Sequence, residues 1–195
     1  IGLPGRYGAT YIALRGLLYS QGIQENEGTL TEIGFTQFEA VKEDRVPVAV
    51  GYANNEPLRL ADSGDEVSVI EVSEYINLVS NGIVASETFL AERPDTARRF
   101  IRATLRGLQD TFANPQEAFD LSLQFIPELG ADQQPFQRRV LDATIPYWQP
   151  LGGDPAGAGS INPEAWQATY TFLRDSGILT QETDPAQAFT TKFLP

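Results

Sequence analysis

The sequence predicts an α/β fold built on a parallel, doubly wound sheet, and three observations carry that prediction. The chain opens with a short apolar strand, a Pro/Gly turn and an amphipathic helix. Two more apolar segments then alternate with helical ones. Beyond Ser86 the alternation stops and the pattern turns helical.

The first strand is expected at Ile1–Leu3, followed by the turn Pro4-Gly5-Arg6-Tyr7-Gly8. A helix is expected from Gly8 to about Gln21, with Tyr11, Leu14, Leu17 and Leu18 on one face and Gly22 as its stop. Thr29–Ile33 reads as the second strand. Thr36–Asp44 reads as a helix that turns Phe38 and Val41 inward. Val46–Gly51, nearly all apolar, reads as a third strand covered on both faces. Right-handed crossovers make these three strands parallel. Val67–Val72 and Leu78–Ala85 are expected as two further strands, separated by the polar stretch Ser73–Asn77.

In the helical part, Pro94–Phe112 places Phe100, Ile101, Leu105 and Leu108 on one face and Arg98, Arg102 and Arg106 on the other. With Arg93 and Arg99 these arginines form a cluster that reads as a solvated face, with docking of an anionic partner as the other reading. Asn114-Pro-Gln-Glu117 is a helix start with an Asn cap, Pro at the first position and Glu three residues after the cap. Asn162-Pro-Glu-Ala-Trp166 repeats that logic, and Gly177 closes the helix. The Gly- and Pro-rich run Leu151–Ser160 reads as a loop, and Trp148 and Trp166 as core residues. The expected division is an α/β part at 1–75 and a mainly helical part at 76–195. Because the α/β part opens in mid-motif, further strands are expected before Ile1.

Composition narrows the function. A chain of 195 residues with 42% hydrophobic side chains has enough apolar surface for a packed core. Its formal charge of -12, from 14 basic and 26 acidic residues, disfavours a nucleic-acid partner through long-range repulsion. With no Cys and no His there is no thiolate nucleophile, Ser-His-Asp relay or imidazole metal ligand. Lys42 and Lys192 are the only lysines.

Ligands of a parallel doubly wound sheet bind outside the carboxyl ends of the strands. Three loops leave those ends: Pro4–Gly8, Gly34–Gln37 and Tyr52–Glu56. In the first, backbone N–H groups at a helix N-terminus stand beside Arg6 and Tyr7, which suits an acceptor-rich group; a plain tight turn is the alternative. Its glycine spacing matches neither a dinucleotide nor a P-loop fingerprint. In the third, the amides of Asn54 and Asn55 and the Glu56 carboxylate can read the polar edge of a heterocycle while Tyr52 offers a stacking face. The alternative for Asn54 and Asn55 is capping of a helix beginning near Pro57. Gln37 belongs to the second loop. Tyr75 and Asn77 are expected either to line a cleft or to form a linker.

The order of Ile1-Gly-Leu-Pro-Gly5, Gly34-Phe35, Val50-Gly-Tyr-Ala-Asn-Asn-Glu-Pro57, Pro94–Gly107 and Asn114-Pro-Gln-Glu-Ala118 resembles ABC-transporter solute-binding proteins. The subgroup is the family that binds thiamine pyrimidine precursors, related to riboflavin and alkanesulfonate binders. That resemblance implies a type II periplasmic-binding-protein-like fold of two α/β lobes with ligand in the cleft between them. Residues 1–75 would be the second lobe and 76–195 the return into the first, whose earlier segment would lie upstream. It also implies an extracytoplasmic protein that captures an aromatic heterocycle and delivers it to a permease, without cofactor or covalent chemistry. Membrane attachment would run through an upstream lipid anchor. Arg6, Tyr7, Gln37, Tyr52, Asn54, Asn55, Glu56 and Tyr75 are the expected ligand contacts. A eukaryotic branch of the resembled family is a pyrimidine synthase that consumes its own histidine, and a chain with no His does not support that activity. The other readings are an enzyme using Glu56 and Tyr52 as acid/base partners, a ligand sensor, and a binder of a sulfonate or taurine anion.

Overall fold

The computed structural model describes residues 1–79, 81–149 and 157–195. Ser80, within the expected strand Leu78–Ala85, and residues 151–156 of the expected loop Leu151–Ser160 lie outside the described residues. The chain divides into two compact units, one made of residues 1–81 and 162–188, the other of residues 82–161 and 189–195.

In the first unit, β1 (Gly2–Leu3) pairs in parallel with β2 (Thr31–Glu32), Gly2 lying opposite Thr31 and Leu3 opposite Glu32. On its other side Gly2 bridges in parallel to Ala49. The Gly2 N–H donates to the Val48 carbonyl at 2.7 Å and the Val50 N–H to the Gly2 carbonyl at 2.8 Å. The three segments are therefore parallel as expected, in the order β2, β1, 48–50, though the third is a bridge and not a full strand. Glycine at position 2 answers to packing: a Cβ there would stand 2.8 Å from Ile33 Cδ1 and 3.0 Å from Val46 Cγ2. Leu3 beside it is fully buried.

The helix α1 (Gly8–Ser20) follows β1 and stops where the sequence says it should. Gly22 takes φ +67°, its N–H reaches the Tyr19 carbonyl, and the Ile23 N–H reaches that of Leu18, so two carbonyls of the last turn are satisfied. The helices α2 (Gln37–Lys42) and α3 (Glu56–Asp62) follow β2 and the 48–50 segment. Phe38, expected inward, is half-buried beneath the Arg59 guanidinium, 4.3 Å from the ring centre, and Arg59 pairs with Glu39 at 3.3 Å.

The expected strands Val67–Val72 and Leu78–Ala85 do not form among the described residues. Val67, Val69 and Ile70 are exposed, and Val72–Glu74 is a single 3-10 turn. Alternation makes a strand only where a neighbouring backbone supplies ladder partners, and no described segment pairs with these residues.

Glu25 ties this unit together locally. It lies in a 3-10 turn, Glu25–Glu27, where its carboxylate pairs with Arg6, accepts from the Tyr11 hydroxyl at 2.8 Å and meets Arg15 Nη1 at 3.1 Å. Burial opposes ionisation of Glu25, but the Tyr11 hydroxyl and the Arg15 and Arg6 guanidinium groups outweigh it and hold the carboxyl below the usual carboxylate range. A lowered folded-state value means that this stabilisation is complete above the unfolded-state value of about 4.3 and is lost as pH falls through the folded one. Thermal unfolding followed from neutral pH to about pH 3 is expected to show a shallower acid decline in Glu25→Gln than in the wild type. Equal declines would show that other carboxylates set the acid limb.

The second unit is helical, with α4 (Glu87–Glu92), α5 (Pro94–Ala113), α6 (Pro115–Ser122) and α7 (Gln134–Trp148). The Asn114 side chain accepts from the Glu117 N–H at 3.3 Å and donates to its carboxylate at 3.0 Å, the capping expected from sequence. The arginine face of α5 is exposed, with Arg98 paired to Asp95 at 3.0 Å and Arg106 to Asp110 at 3.6 Å. Phe100, expected on the apolar face, is exposed, and so is Trp148 at the end of α7; Trp166 is half-buried.

The last helix, α8 (Pro163–Asp175), belongs to the first unit. Asn162 caps it by accepting from Glu164 N–H at 2.9 Å and Ala165 N–H at 3.1 Å, and Gly177 closes it with φ +67°. It lies on α1: the Tyr19 and Phe172 rings are 5.4 Å apart, the Tyr19 hydroxyl donates to Asp175 at 3.1 Å, and Arg15 donates to the Ser176 carbonyl at 3.1 Å.

Candidate functional site

The order β2, β1, 48–50 places the start of the chain in the middle, so the path from β1 to β2 leaves on one side and the path to 48–50 ends on the other. That reversal is the point at which an open parallel sheet leaves a crevice at its carboxyl end. The loops after β1 and after residue 50 border it, and the loop after β2 lies alongside.

Pro4 and Gly5 are buried while Arg6 and Tyr7 are exposed. Tyr7, at the N-cap of α1 and 60% exposed, rests its ring on Gly5, where a Cβ would collide with Tyr7 Cε1. No side chain caps the first turn of α1 and no acidic residue lies in it. Its N–H groups thus have no side-chain acceptor among the described residues. Arg6, expected as the cation of this corner, is engaged by Glu25 and lies 3.9 Å from Glu32. Two carboxylates hold its charge.

After β2 the chain turns at Gly34, with φ +61°, and Thr36 donates its hydroxyl to the Ile33 carbonyl at 2.7 Å. This turn sets Gln37 at the start of α2, 6% exposed, with no hydrogen bond to its amide among the described residues. It also leaves Phe35 81% exposed. Phe35 was not among the residues expected as ligand contacts. An aromatic directly after a turn glycine at the carboxyl end of a strand was the signal that pointed to it.

The third loop carries Tyr52, 49% exposed, and the half-buried Asn54, Asn55 and Glu56. Asn55 occupies the N-cap position of α3 but makes no side-chain cap bond, so capping is not what its amide does. The Glu56 carboxylate accepts from the Tyr52 N–H at 2.7 Å, and the Asn55 N–H donates to the Tyr52 carbonyl at 2.9 Å. Each of the three carboxyl-end loops therefore presents one exposed ring: Tyr7, Phe35 and Tyr52.

Tyr75, the remaining expected contact, is 46% exposed. It follows the Val72–Glu74 turn, and the adjoining Ile76 and Leu78 side chains lie against Gly16, where a Cβ would meet Leu78 Cδ1 at 2.7 Å. Gly16 is eight residues beyond the start of α1, about 12 Å along the helix at 1.5 Å per residue. An open hollow of about 660 Å³ beside α3, lined by residues including Pro57, Asp65 and Val67, contains none of the three rings. Among the described residues no group of three or more His, Cys, Asp or Glu is placed to hold a metal ion, and no helix is long and apolar enough to cross a membrane.

Comparison with known proteins agrees with this geometry at the level of family. A family model described as NMT1/THI5 like matches residues 1–118. The riboflavin-binding protein RibY of Chloroflexus aurantiacus is 48% identical over 195 residues, which is all of this chain and 56% of that protein. A 4-amino-5-hydroxymethyl-2-methylpyrimidine phosphate synthase of Legionella pneumophila is 23% identical over 201 residues, covering the whole chain and 59% of the relative. A protein of the same name from Aspergillus parasiticus is 22% identical over 160 residues, or 76% of the chain and 45% of the relative. The chain thus spans about half the length of the curated relatives it matches. A family match over more than half of the sequence, together with a relative of this identity along all of it, shows that the chain belongs to the NMT1/THI5-like family, which has a periplasmic-binding-protein-like fold.

Proposed function

We propose that the chain is part of an extracytoplasmic solute-binding protein of an ABC importer, holding riboflavin or a related aromatic heterocycle at the carboxyl end of its sheet and delivering it to a permease. The observation that carries this reading is that each of the three carboxyl-end loops bears one exposed ring, Tyr7, Phe35 and Tyr52, and that the second of them leads into Gln37, a residue only 6% exposed whose amide makes no hydrogen bond among the described residues. Exposed rings gathered at one end of a sheet mark a place where an apolar partner sits, and flat π-faces suit a flat ring system. The likeness to a relative named for riboflavin binding supports the same ligand class.

In this reading Tyr7, Phe35 and Tyr52 contact the ring faces, while Gln37, Asn54 and Asn55 meet its polar edge. Arg6, held by two carboxylates, and Tyr75, whose neighbours Ile76 and Leu78 lie against Gly16 in the middle of α1, are left out of the contact set. Residues 1–75 supply a wall of the ligand site, and α8, from the later part of the chain, supports α1 within the same compact unit. Sulfonate or nitrate is disfavoured, because Arg6, the cation of the first loop, is already neutralised by carboxylates. Binding is favoured over turnover, since the relative at 48% identity is named for riboflavin binding and the relatives named as synthases stand at 22–23%.

Calorimetry of the protein against riboflavin, hydroxymethylpyrimidine and taurine tests the proposal. Saturable heat with riboflavin, with the ligand recovered unchanged, is the expected result; no saturable heat with either ring compound would overturn it. Gln37→Leu is the sharper check, since leucine keeps the bulk and removes the amide. Affinity is expected to fall by about 0.5–1.5 kcal/mol, roughly 2- to 13-fold, for one lost neutral hydrogen bond. Thermal stability is expected to change little, because leucine keeps the buried bulk of Gln37 and no hydrogen bond to its amide is lost among the described residues. Unchanged affinity would remove Gln37 from the site.

A further inference from the structure

Glu56 carries the formal charge of the third loop, and its geometry points inward to the loop itself. The carboxylate accepts from the Tyr52 N–H at 2.7 Å, four residues back in sequence. Its side chain lies across Gly51. A Cβ on that glycine would stand 2.7 Å from Glu56 Oε2, 2.9 Å from Cδ and 3.1 Å from Cγ, so three successive atoms of Glu56 occupy the space where any other residue would begin. The Tyr52 carbonyl is bound from the opposite direction by the Asn55 N–H at 2.9 Å. Tyr52 is thus fixed on both its N–H and its C=O while its ring remains exposed.

We propose that Glu56 is a positioning residue: seated on Gly51, its carboxylate sets the backbone of Tyr52 and through it the place of the stacking ring, and ligand affinity depends on Glu56 through that bond. The inference rests on the reading of Tyr52 as a ring contact. Gly51 is the second half of the device, because only a residue without a Cβ leaves the carboxylate its seat. A charged acceptor gives a shorter and stronger bond to an N–H than a neutral one, which suits a loop that has to hold its shape in water.

Three variants separate this role from direct ligand contact. Glu56→Gln keeps an oxygen that can accept from Tyr52 and is expected to bind riboflavin within about 3-fold of the wild type, since a neutral acceptor retains most of the bond. Glu56→Ala removes the acceptor and Gly51→Ala displaces it. Both are expected to weaken binding about 10-fold or more, and both are expected to quench the flavin fluorescence of the bound ligand less fully, because the ring no longer stands against it. A large loss in Glu56→Gln equal to that in Glu56→Ala, or a Gly51→Ala protein that binds and quenches as the wild type does, overturns the proposal. A second measurement needs no ligand. The Tyr52 amide proton is expected to exchange with solvent more slowly in the wild type and Glu56→Gln than in Glu56→Ala and Gly51→Ala. If it does so while riboflavin does not bind, the ligand reading fails and the clamp stands; if exchange is equally fast in all four proteins, the clamp itself is absent.

Discussion

Phe172→Ala is expected to cost about 3–5 kcal/mol of folding free energy, the range for removing a fully buried aromatic side chain. Phe172 is 0% exposed and faces Tyr19 of α1 at 5.4 Å with the ring planes 52° apart, a tilted pair that adds to the area it buries. The polar contacts between α1 and α8 are not strong enough to replace it. The bond from Tyr19 to Asp175 is exposed, and Arg15 makes a single bond to the Ser176 carbonyl. Water competes for an exposed contact of this kind, so it adds little. Urea denaturation of the wild type and the variant measures the difference. A loss below about 1 kcal/mol, the usual effect of an ordinary substitution, would show that α8 does not pack on α1 in solution. Ligand affinity of the folded fraction is expected to be unchanged, since Phe172 meets α1 near its C-terminal end and the rings at the crevice lie at the other.

The parts of this chain that were legible in sequence are those governed by local chemistry. Gly22 and Gly177 were readable as helix stops because an L-residue at positive φ is strained, and both take φ +67°. Asn114 and Asn162 were readable as caps because a short acceptor next to Pro at the first helical position has few other uses. The parallel sense of the three segments followed from short apolar stretches separated by helices, whereas their order, with β1 in the middle, came only from the structure. What was not legible depended on distant partners. Val67–Val72 has the apolar content of a strand, but no described backbone lies beside it to complete a ladder. At the site, the loops and the rings of Tyr7 and Tyr52 could be named because strand ends locate them. The engagement of Arg6 by Glu25 could not, since 19 residues separate the pair and nothing local links them. Glu56 shows the same limit from the other side: a carboxylate after two asparagines suggests an outward-facing acceptor, and only the absence of a Cβ on Gly51 reveals where it rests.

Leu3→Ala is expected to lower stability by about 2–5 kcal/mol and to weaken ligand binding as well, and it is the combination that distinguishes it from Phe172→Ala. Leu3 is fully buried on the central strand, one residue before the Pro4–Tyr7 turn, and its carbonyl anchors the Ile33 N–H at 2.9 Å. The substitution keeps that backbone bond and removes the side chain beneath it. Gly2 on one side has no room to rearrange, with Ile33 and Val46 already against it, so the space left by Leu3 is filled only by movement of the turn that follows. That turn carries Tyr7, the exposed ring of the first carboxyl-end loop. Riboflavin titration at a temperature where the variant is still folded, paired with urea denaturation, reads both effects. If stability falls and affinity does not, the Pro4–Tyr7 turn is not a wall of the ligand site, and the crevice is bordered by the Tyr52 loop alone. If both fall, the buried residue of β1 serves the site as well as the core, because the strand that organises the sheet ends in the loop that meets the ligand.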